Sequence, residues 1–172
     1  MKRLAASLLV ASSLVACGYQ AVHGGGAQAE RYAVVLAHTN VPDAVASDEV
    51  VSGVREELAR AGALASGEGY PRCEVEVLRA DEASDGIAAA GNPSQPVARS
   101  TRVGLVARAW IVREKDGARE RDTGDVRALD EVATALDARA ATFQYADALR
   151  AAGRRVGRSL GAHLVGLPST TE

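Results

Sequence analysis

The stretch STRVGLVARAWIVR, from Ser100 to Arg113, decides the fold. Every second residue from Val103 to Ile111 is apolar, an alternation that predicts a strand with one buried face. Directly after it, Lys115-Asp116-Gly117 predicts a hairpin turn. The returning strand, from about Ala118 to Val126, is rich in charged residues, so we expect it at an edge of the sheet or on a wet face.

Two further strands and a helix are predicted upstream of this hairpin. The nearly continuous apolar run within Arg31 to Thr39 predicts a strand that is central or covered on both faces. A helix is expected from about Ser47 to Leu64, where Ser47 is a plausible N-cap and Gly62 a plausible C-cap. The alternation from Cys73 to Ala80 predicts a strand, and residues 81–99 are expected to form a long loop.

The C-terminal third is predicted to be helical. Leucine, valine and glycine recur at helical spacing from about Tyr145 to Val165. Residues 129–142 leave two alternatives open, since their alanines favour a helix while Leu129 and Val132 would prolong the preceding strand. The expected fold class is α+β, a two-layer sandwich of two helices packed on a mostly antiparallel four-stranded sheet.

The N-terminal segment predicts the location of the protein. Lys2 and Arg3 precede an apolar run from Leu4 to Ala16, and this run ends in Leu14-Val15-Ala16-Cys17. Its 13 residues are too few to cross a membrane, which needs about 20, but they suit the centre of a signal peptide. The order resembles a bacterial lipoprotein signal peptide, which implies cleavage before Cys17 and acylation at that residue. An ordinary secretory signal and a buried helix remain as alternatives.

This interpretation divides the chain into four parts. We expect a signal peptide at 1–16, a lipidated flexible tether at 17–30, a folded domain at 31–167 and a tail at 168–172. The resemblance to lipoproteins, with no aspartate directly after the cysteine, favours the outer membrane and its periplasmic face. The membrane contact is then the N-terminal lipid, in which each buried CH₂ group contributes about 0.8 kcal/mol.

Composition excludes several classes of protein. The chain has 20 Lys and Arg against 22 Asp and Glu, and loss of Lys2 and Arg3 leaves 18 against 22, a net charge of about −4. A nucleic-acid-binding protein would show a clustered basic excess, so we expect no nucleic-acid partner. Cys73 is the only other cysteine, and we expect a small buried hydrophobic residue there, with a reactive or intermolecular thiol as the alternative.

No catalytic or metal-binding pattern is visible. His23, His38 and His163 lie far apart in the sequence and in different predicted elements, whereas a metal site needs convergent ligands. There is no Gly-x-Ser-x-Gly sequence of the kind that carries a nucleophilic serine. We therefore expect neither an enzyme nor a cofactor or metal site.

The whole arrangement resembles the LPS-assembly lipoproteins of the LptE type. The residues that carry the resemblance are Ala16-Cys17-Gly18-Tyr19, the strand that ends in Thr39-Asn40, the helix segment from Val54 to Gly62, Ala80-Asp81, the hairpin around Asp116-Gly117, Ala148-Leu149-Arg150, and Leu160 to Val165. The resemblance covers roughly 17–167, and it makes 31–167 an LptE-like domain.

The resemblance implies a role in lipopolysaccharide transport to the cell surface. The expected partners are lipopolysaccharide and an LptD-like outer-membrane β-barrel that translocates it, with the lipoprotein as a plug inside the barrel. A generic envelope lipoprotein that binds an unrelated partner is the alternative.

Basic residues concentrate on the predicted hairpin. Arginine forks match phosphate oxygens, and lipid A carries phosphates, so these residues are candidates for contact with lipopolysaccharide or with acidic residues of the partner. The alternative is a solvated sheet face on which they pair with Glu114, Asp116, Glu120 and Asp122. The candidates are Arg102, Arg108, Arg113, Lys115, Arg119 and Arg121.

Overall fold

The computed structural model describes residues 30–85, 100–132 and 137–167. The predicted signal peptide, Cys17, His23, nearly all of the tether and the tail lie outside these residues. In chain order the elements are β1 (Ala33–Thr39), α1 (Ala44–Arg60), β2 (Arg72–Asp85), β3 (Ser100–Val112), β4 (Arg119–Glu120), β5 (Val126–Val132) and α2 (Ala138–Leu164).

The predicted fold class is confirmed: two helices accompany a mostly antiparallel sheet. β1 pairs with β2 in parallel, and β2 pairs with β3 in antiparallel fashion. β4 and β5 both pair with β3, at Ile111–Val112 and at 101–107 respectively. The sheet therefore has four positions, the last of which is filled by two short strands in succession.

The strand over Ser100–Val112 is the strand that the alternation predicts. Val103, Leu105 and Ile111 are buried in the core below the sheet. The returning strand lies at the edge, as predicted, but it is not continuous from Ala118 to Val126. It breaks because Arg121 and Gly124 have left-handed backbone conformations, with φ of 48° and 66°.

Thr123 fills the gap between β4 and β5. Its backbone N–H donates to the carbonyl of Ala109 at 2.9 Å, and its Oγ1 accepts the N–H of Ala109 at 3.0 Å. A side chain thus replaces part of the missing ladder, and the edge of β3 stays hydrogen-bonded across the break.

β1 corrects the prediction of a central strand. Among the strands that the structure describes it pairs with β2 alone, so it forms the other edge of the sheet. Tyr32, Ala33 and Val34 are buried, whereas Leu36 is 37% exposed. The first half of this apolar run is buried in the core. Its second half is largely exposed.

The start of α1 also differs from the prediction. Asp43, not Ser47, is the N-cap, because its carboxylate accepts the N–H of Ala46 at 2.9 Å. Ser47 is buried one turn into the helix, where its hydroxyl lies 3.0 Å from that of Thr39. Gly62 follows the helix with φ 71°, as its predicted capping role requires.

Each of the two alternatives left open for residues 129–142 holds for part of this segment. β5 extends to Val132, and α2 begins at Ala138 behind the N-cap Asp137, well before the predicted start at Tyr145. β2 is likewise longer than predicted and runs to Asp85, so residues 81–85 belong to a strand and not to the expected loop. The rest of that prediction, residues 86–99, lies outside the described residues.

Small residues bring the two helices into close contact. A Cβ built on Gly157 would lie 2.1 Å from the carbonyl oxygen of Val50, and one on Gly53 would lie 2.4 Å from that of Arg154. Gly153 approaches Ala46, and Gly161 approaches Glu57. The contacts advance in the same direction on both helices, so α1 and α2 run parallel with their backbones nearly touching.

The helices cover one face of the sheet, which we call the inner face. Leu58, Leu105 and Leu160 are fully buried in the core on this side. Cys73 lies there too, as predicted for a small buried hydrophobic residue. Burial raises the pKa of its thiol to about 12, so the thiol stays protonated near neutral pH.

Candidate functional site: the outer face of the sheet

The opposite side of the sheet, which we call the outer face, carries alternating charges and apolar residues. In register, Arg72 lies across from Val112, Glu74 from Trp110, and Glu76 from Arg108. No helix among the described residues packs against this side. Even so, Val106, Trp110 and Val112 are 2%, 3% and 5% exposed. Charged side chains on the same face therefore cover an apolar layer.

Trp110 lies at the centre of this layer. Its indole N–H donates to Glu74 at 3.0 Å, and the guanidinium of Arg119 stacks over its ring at 3.8 Å. The guanidinium of Arg108 lies 5.8 Å from the ring centroid. The ring is thus enclosed by cations, which its negative face favours, while its polar edge has a carboxylate partner.

Glu74 links this aromatic residue to a second cation. Arg72 donates to it at 2.6 Å, and Arg72 itself stacks over Tyr70 at 4.5 Å. The carboxylate therefore bridges two cation–aromatic pairs. Because Glu74 and Trp110 are cross-strand neighbours, the arrangement follows from the register of β2 against β3.

Arg108 is neutralised by a neighbour on β2. Its Nε donates to Glu76 at 2.8 Å, and a second guanidinium nitrogen lies 2.7 Å from the same oxygen. The hydrogen bond to Glu76 raises the pKa of Arg108 above its ordinary value. This candidate is therefore engaged within the protein.

Arg113 is also engaged, by two carboxylates. It donates to Glu30, and its Nε donates to Glu120 at 2.8 Å. These hydrogen bonds raise the pKa of Arg113 and lower that of Glu30. The contact ties the first described residue of the chain to the end of β3.

Arg121 turns back toward the body of the protein. Its Nη1 lies 3.4 Å from the hydroxyl of Tyr32 and 3.4 Å from the carbonyl oxygen of Leu164. Both acceptors are neutral, so Arg121 joins the end of α2 to the start of β1 without a carboxylate. Burial, followed by the hydrogen bond to Glu30, raises the pKa of Tyr32.

Three candidates remain with different surroundings. Arg102 is exposed on β3, across from Glu131 of β5. Lys115 is exposed in the turn before β4. Neither Lys115 nor Arg119 makes an ion pair within the three described ranges. These two cations of the hairpin have no carboxylate partner there, and Arg119 is held instead by its stacking on Trp110.

The six candidates do not form one cluster. The structure brings Arg108 and Arg119 together around Trp110, while Arg113 and Arg121 belong to the end of the sheet near Glu30. Of the acidic partners expected from the hairpin, Glu120 pairs with Arg113; the partner of Arg108 comes instead from β2. The alternation that predicts β2 puts Glu74 and Glu76 on one face of the strand, but it does not give the pairing register that sets them beside Trp110 and Arg108.

The described residues offer no metal centre. Within them, no group of three or more His, Cys, Asp and Glu side chains converges as a metal site would require. His38 lies 2.8 Å from Asn40 Oδ1, and His163 is exposed near the end of α2. None of the helices in the described ranges is long and apolar enough to cross a membrane.

Comparisons with known proteins find weak matches to solved structures at low identity. No family model matches the chain, and no curated protein matches it. A crystal structure of a "putative lipoprotein" from Caulobacter crescentus matches with 15% identity and a TM-score of 0.45, over 77% of this chain and 86% of that one. A "minor lipoprotein" from Acinetobacter baumannii matches with 11% identity and a TM-score of 0.42, over 76% of this chain and 92% of that one. Likenesses of this size do not transfer a function.

Proposed function

We propose that this protein is an outer-membrane lipoprotein of the bacterial envelope, which assists lipopolysaccharide assembly as the partner of a lipopolysaccharide-translocating β-barrel. The observation that carries the proposal is the sequence Leu14-Val15-Ala16-Cys17 at the end of a short apolar run. The protein acts by binding, with no reaction of its own.

The length of the N-terminal segment fits a lipid anchor. Twelve residues, 18–29, lie between Cys17 and Glu30, where the described body begins. At about 3.5 Å per Cα–Cα step, this length of chain spans at most roughly 45 Å. The anchor therefore holds the body close to one membrane while leaving it free to meet a partner, which raises the effective concentration of each for the other.

The outer face supports a binding role. It is a charged surface built on a buried aromatic residue, with no helix of the described ranges packed on it, and such a surface suits the polar lumen of a barrel. Lys115 and Arg119, which have no carboxylate partner in the described ranges, are the residues that we assign to phosphate or acidic partner groups. Arg102 lies on the same face and extends the contact.

The lipid anchor is tested by mass spectrometry of the native protein. The mature chain is expected to begin at Cys17 and to carry the mass of its acyl chains, and Cys17→Ser is expected to abolish labelling by a radioactive fatty acid. Cys73→Ser is the matched control, since that thiol is buried, and its labelling is expected to be unchanged. An unmodified thiol at Cys17 in the native protein would overturn the proposal.

The assembly role is tested by depletion of the protein. Surface lipopolysaccharide is expected to fall, and a large outer-membrane barrel is expected to co-purify with the tagged lipoprotein. Normal surface lipopolysaccharide after depletion would exclude the assembly role and leave the lipid anchor intact.

The contact residues are tested by charge reversal. The double variant Lys115→Glu, Arg119→Glu is expected to weaken capture of lipopolysaccharide or of the barrel at least about tenfold, because like charges across a contact cost several kcal/mol. Arg139→Glu, an exposed change on α2, is the control with the same change of sign. Equal capture by all three proteins would remove the hairpin from the contact.

One observation favours the alternative of an envelope lipoprotein with an unrelated partner. Arg108 and Arg113 are held by Glu76, Glu30 and Glu120, so much of the basic charge is not available to a phosphate. Confirmed acylation with no barrel in the purified complex would support this alternative.

A further inference from the structure

The two edges of the sheet differ in their protection against further pairing. The edge formed by β4 and β5 is interrupted at 121–125 and carries Arg127, Asp130 and Glu131. The edge formed by β1 has the sequence AVVLAHT, without proline, lysine, arginine or carboxylate. Charges and interruptions normally prevent an edge strand from pairing with another chain. β1 lacks them.

The backbone of β1 presents hydrogen-bonding groups outward. The N–H of Ala33 donates to Pro71, beside the start of β2, so by alternation the backbone groups of Val34 and Leu36 point away from the sheet. The carbonyl of Val34 accepts a hydrogen bond from Arg55 at 2.9 Å. A bulge follows Leu36, so the regular part of this edge ends there.

A groove of about 540 Å³ runs along this edge. Leu36 and Val51 line its apolar part, and Leu36 is 37% exposed. Asp48 and Arg55 of α1 also line it, one on each side of Val51 along the helix. Asp48 makes no ion pair with any residue of the described ranges, and Arg55 is bonded only to the Val34 carbonyl.

This order of charges is complementary to itself. Asp48 lies three residues before Val51, and Arg55 lies four after it. A two-fold axis perpendicular to the sheet, placed between them, would set Asp48 of one copy across from Arg55 of the other and repeat the pair by symmetry. Self-complementary patches of this kind form closed dimers.

We propose that a second copy of this chain occupies the groove, with the two β1 strands paired in antiparallel fashion across a two-fold axis at Val35. In this register Val34 of each copy exchanges backbone hydrogen bonds with Leu36 of the other, and all these residues precede the bulge. The N–H of Leu36 takes the place of Arg55 at the Val34 carbonyl, and Arg55 turns to Asp48 of the other copy. The sheets of the two copies become continuous. This dimer goes beyond the proposed function and does not depend on it.

The test uses charge reversal on the full-length protein in detergent, with mass measured by light scattering over a range of concentrations. The wild type is expected to dimerise. Asp48→Arg and Arg55→Asp are each expected to raise the dissociation constant at least about tenfold, because each sets like charges opposite one another. Asp147→Arg, a change on the exposed part of α2, is the control and is expected to dimerise like the wild type.

Mixing the two single variants provides the decisive measurement. A heterodimer of Asp48→Arg with Arg55→Asp sets arginine against aspartate at both positions, so the mixture is expected to regain the dimer that neither variant forms alone. Recovery also shows that both variants are folded, and circular dichroism checks this independently. A wild type that is monomeric at every concentration would overturn the proposal. So would a dimer whose dissociation constant is unchanged in both charge-reversal variants, or a mixture of the two variants that stays monomeric.

Discussion

The inner face of the sheet meets two helices, whereas within the described residues the outer face is covered by the side chains of its own strands. On the inner side, backbones approach so closely that the Cβ of an alanine at Gly157 would overlap the Val50 carbonyl. On the outer side, Val106 and Trp110 are equally well buried, but by flexible arginine and glutamate side chains. These apolar side chains are as well buried as those of the inner face. The difference is that flexible side chains cover them, whereas closely packed helices cover the inner face.

From this comparison we expect the largest loss of stability for a substitution at the contact between the two helices. Gly157→Ala is expected to lower the free energy of unfolding by at least about 2 kcal/mol, although alanine is favoured over glycine within a helix by about 1 kcal/mol, because the helices must separate. Urea unfolding followed by circular dichroism measures the change. Ser159→Ala, on the same helix but partly exposed, is the control and is expected to be neutral or slightly stabilising. A stabilised Gly157→Ala would show that the two backbones have room to move apart.

The second prediction makes the same substitution on both faces. Val75→Ala on the inner face is expected to cost about 2–3 kcal/mol, since the rigid core leaves a cavity. Val106→Ala on the outer face is expected to lower the free energy of unfolding by about 1–1.5 kcal/mol, near the transfer free energy alone. The loss is smaller because the flexible alkyl parts of the charged side chains that cover Val106 can move into the space. Denaturant midpoints of the two variants give the difference. Equal losses would mean that the outer face is as rigid as the core.

A smaller effect is expected at Trp110. Trp110→Phe keeps an aromatic ring under Arg119 but removes the N–H that donates to Glu74, so a loss of about 1–2 kcal/mol is expected. Thermal unfolding measures it, and Trp110→Phe in a Glu74→Leu background, which has no acceptor at position 74, should lose less. If the two changes are additive, the hydrogen bond does not stabilise the protein.

The smallest effect is expected at Arg108. Arg108→Met keeps an apolar stem over the sheet and removes a partly exposed ion pair with Glu76 at the surface of the protein, where such pairs contribute little. The unfolding midpoint is expected to stay within error, and the wild type and the variant should respond alike to added salt. A large, salt-sensitive loss would place this pair among the main stabilising contacts of the outer face.

The same contrast shows which features the sequence could predict. Alternation in β3 and the stripe of α2 predicted the inner face, because burial by a neighbouring layer imposes a period on the chain. The parallel helices with glycine at the contact were not predictable in this way, since Gly53 and Gly157 are 104 residues apart. The recurrence of glycine at every fourth residue from Gly153 to Gly161 puts glycine on one face of α2, but it does not indicate which helix meets that face or in which direction. Of the outer face, the sequence indicated a charged surface but not the cross-strand register that sets Glu74 beside Trp110 and Glu76 beside Arg108.

The wrong assignment of β1 has a related cause. A run of apolar residues predicts burial of side chains, but it does not indicate whether the strand has a hydrogen-bonded neighbour on both sides. The position of β1 at an edge depends on the order in which distant strands meet. Similarly, Asp43 replaces Ser47 as the cap of α1 because the turn after β1 brings the helix to an earlier start.

Because α1 and α2 run parallel, their helix dipoles point in the same direction. Most paired helices in a small bundle are antiparallel, and their dipoles largely cancel, but here the two dipoles add. Asp43 and Asp137 lie at the positive ends, and Arg60 and His163 lie near the negative ends, so the ends are locally compensated. The negative ends lie on the side from which the chain enters through Glu30. Because the two dipoles add, these four side chains offset a partial charge at each end of the pair that is about twice that of a single helix.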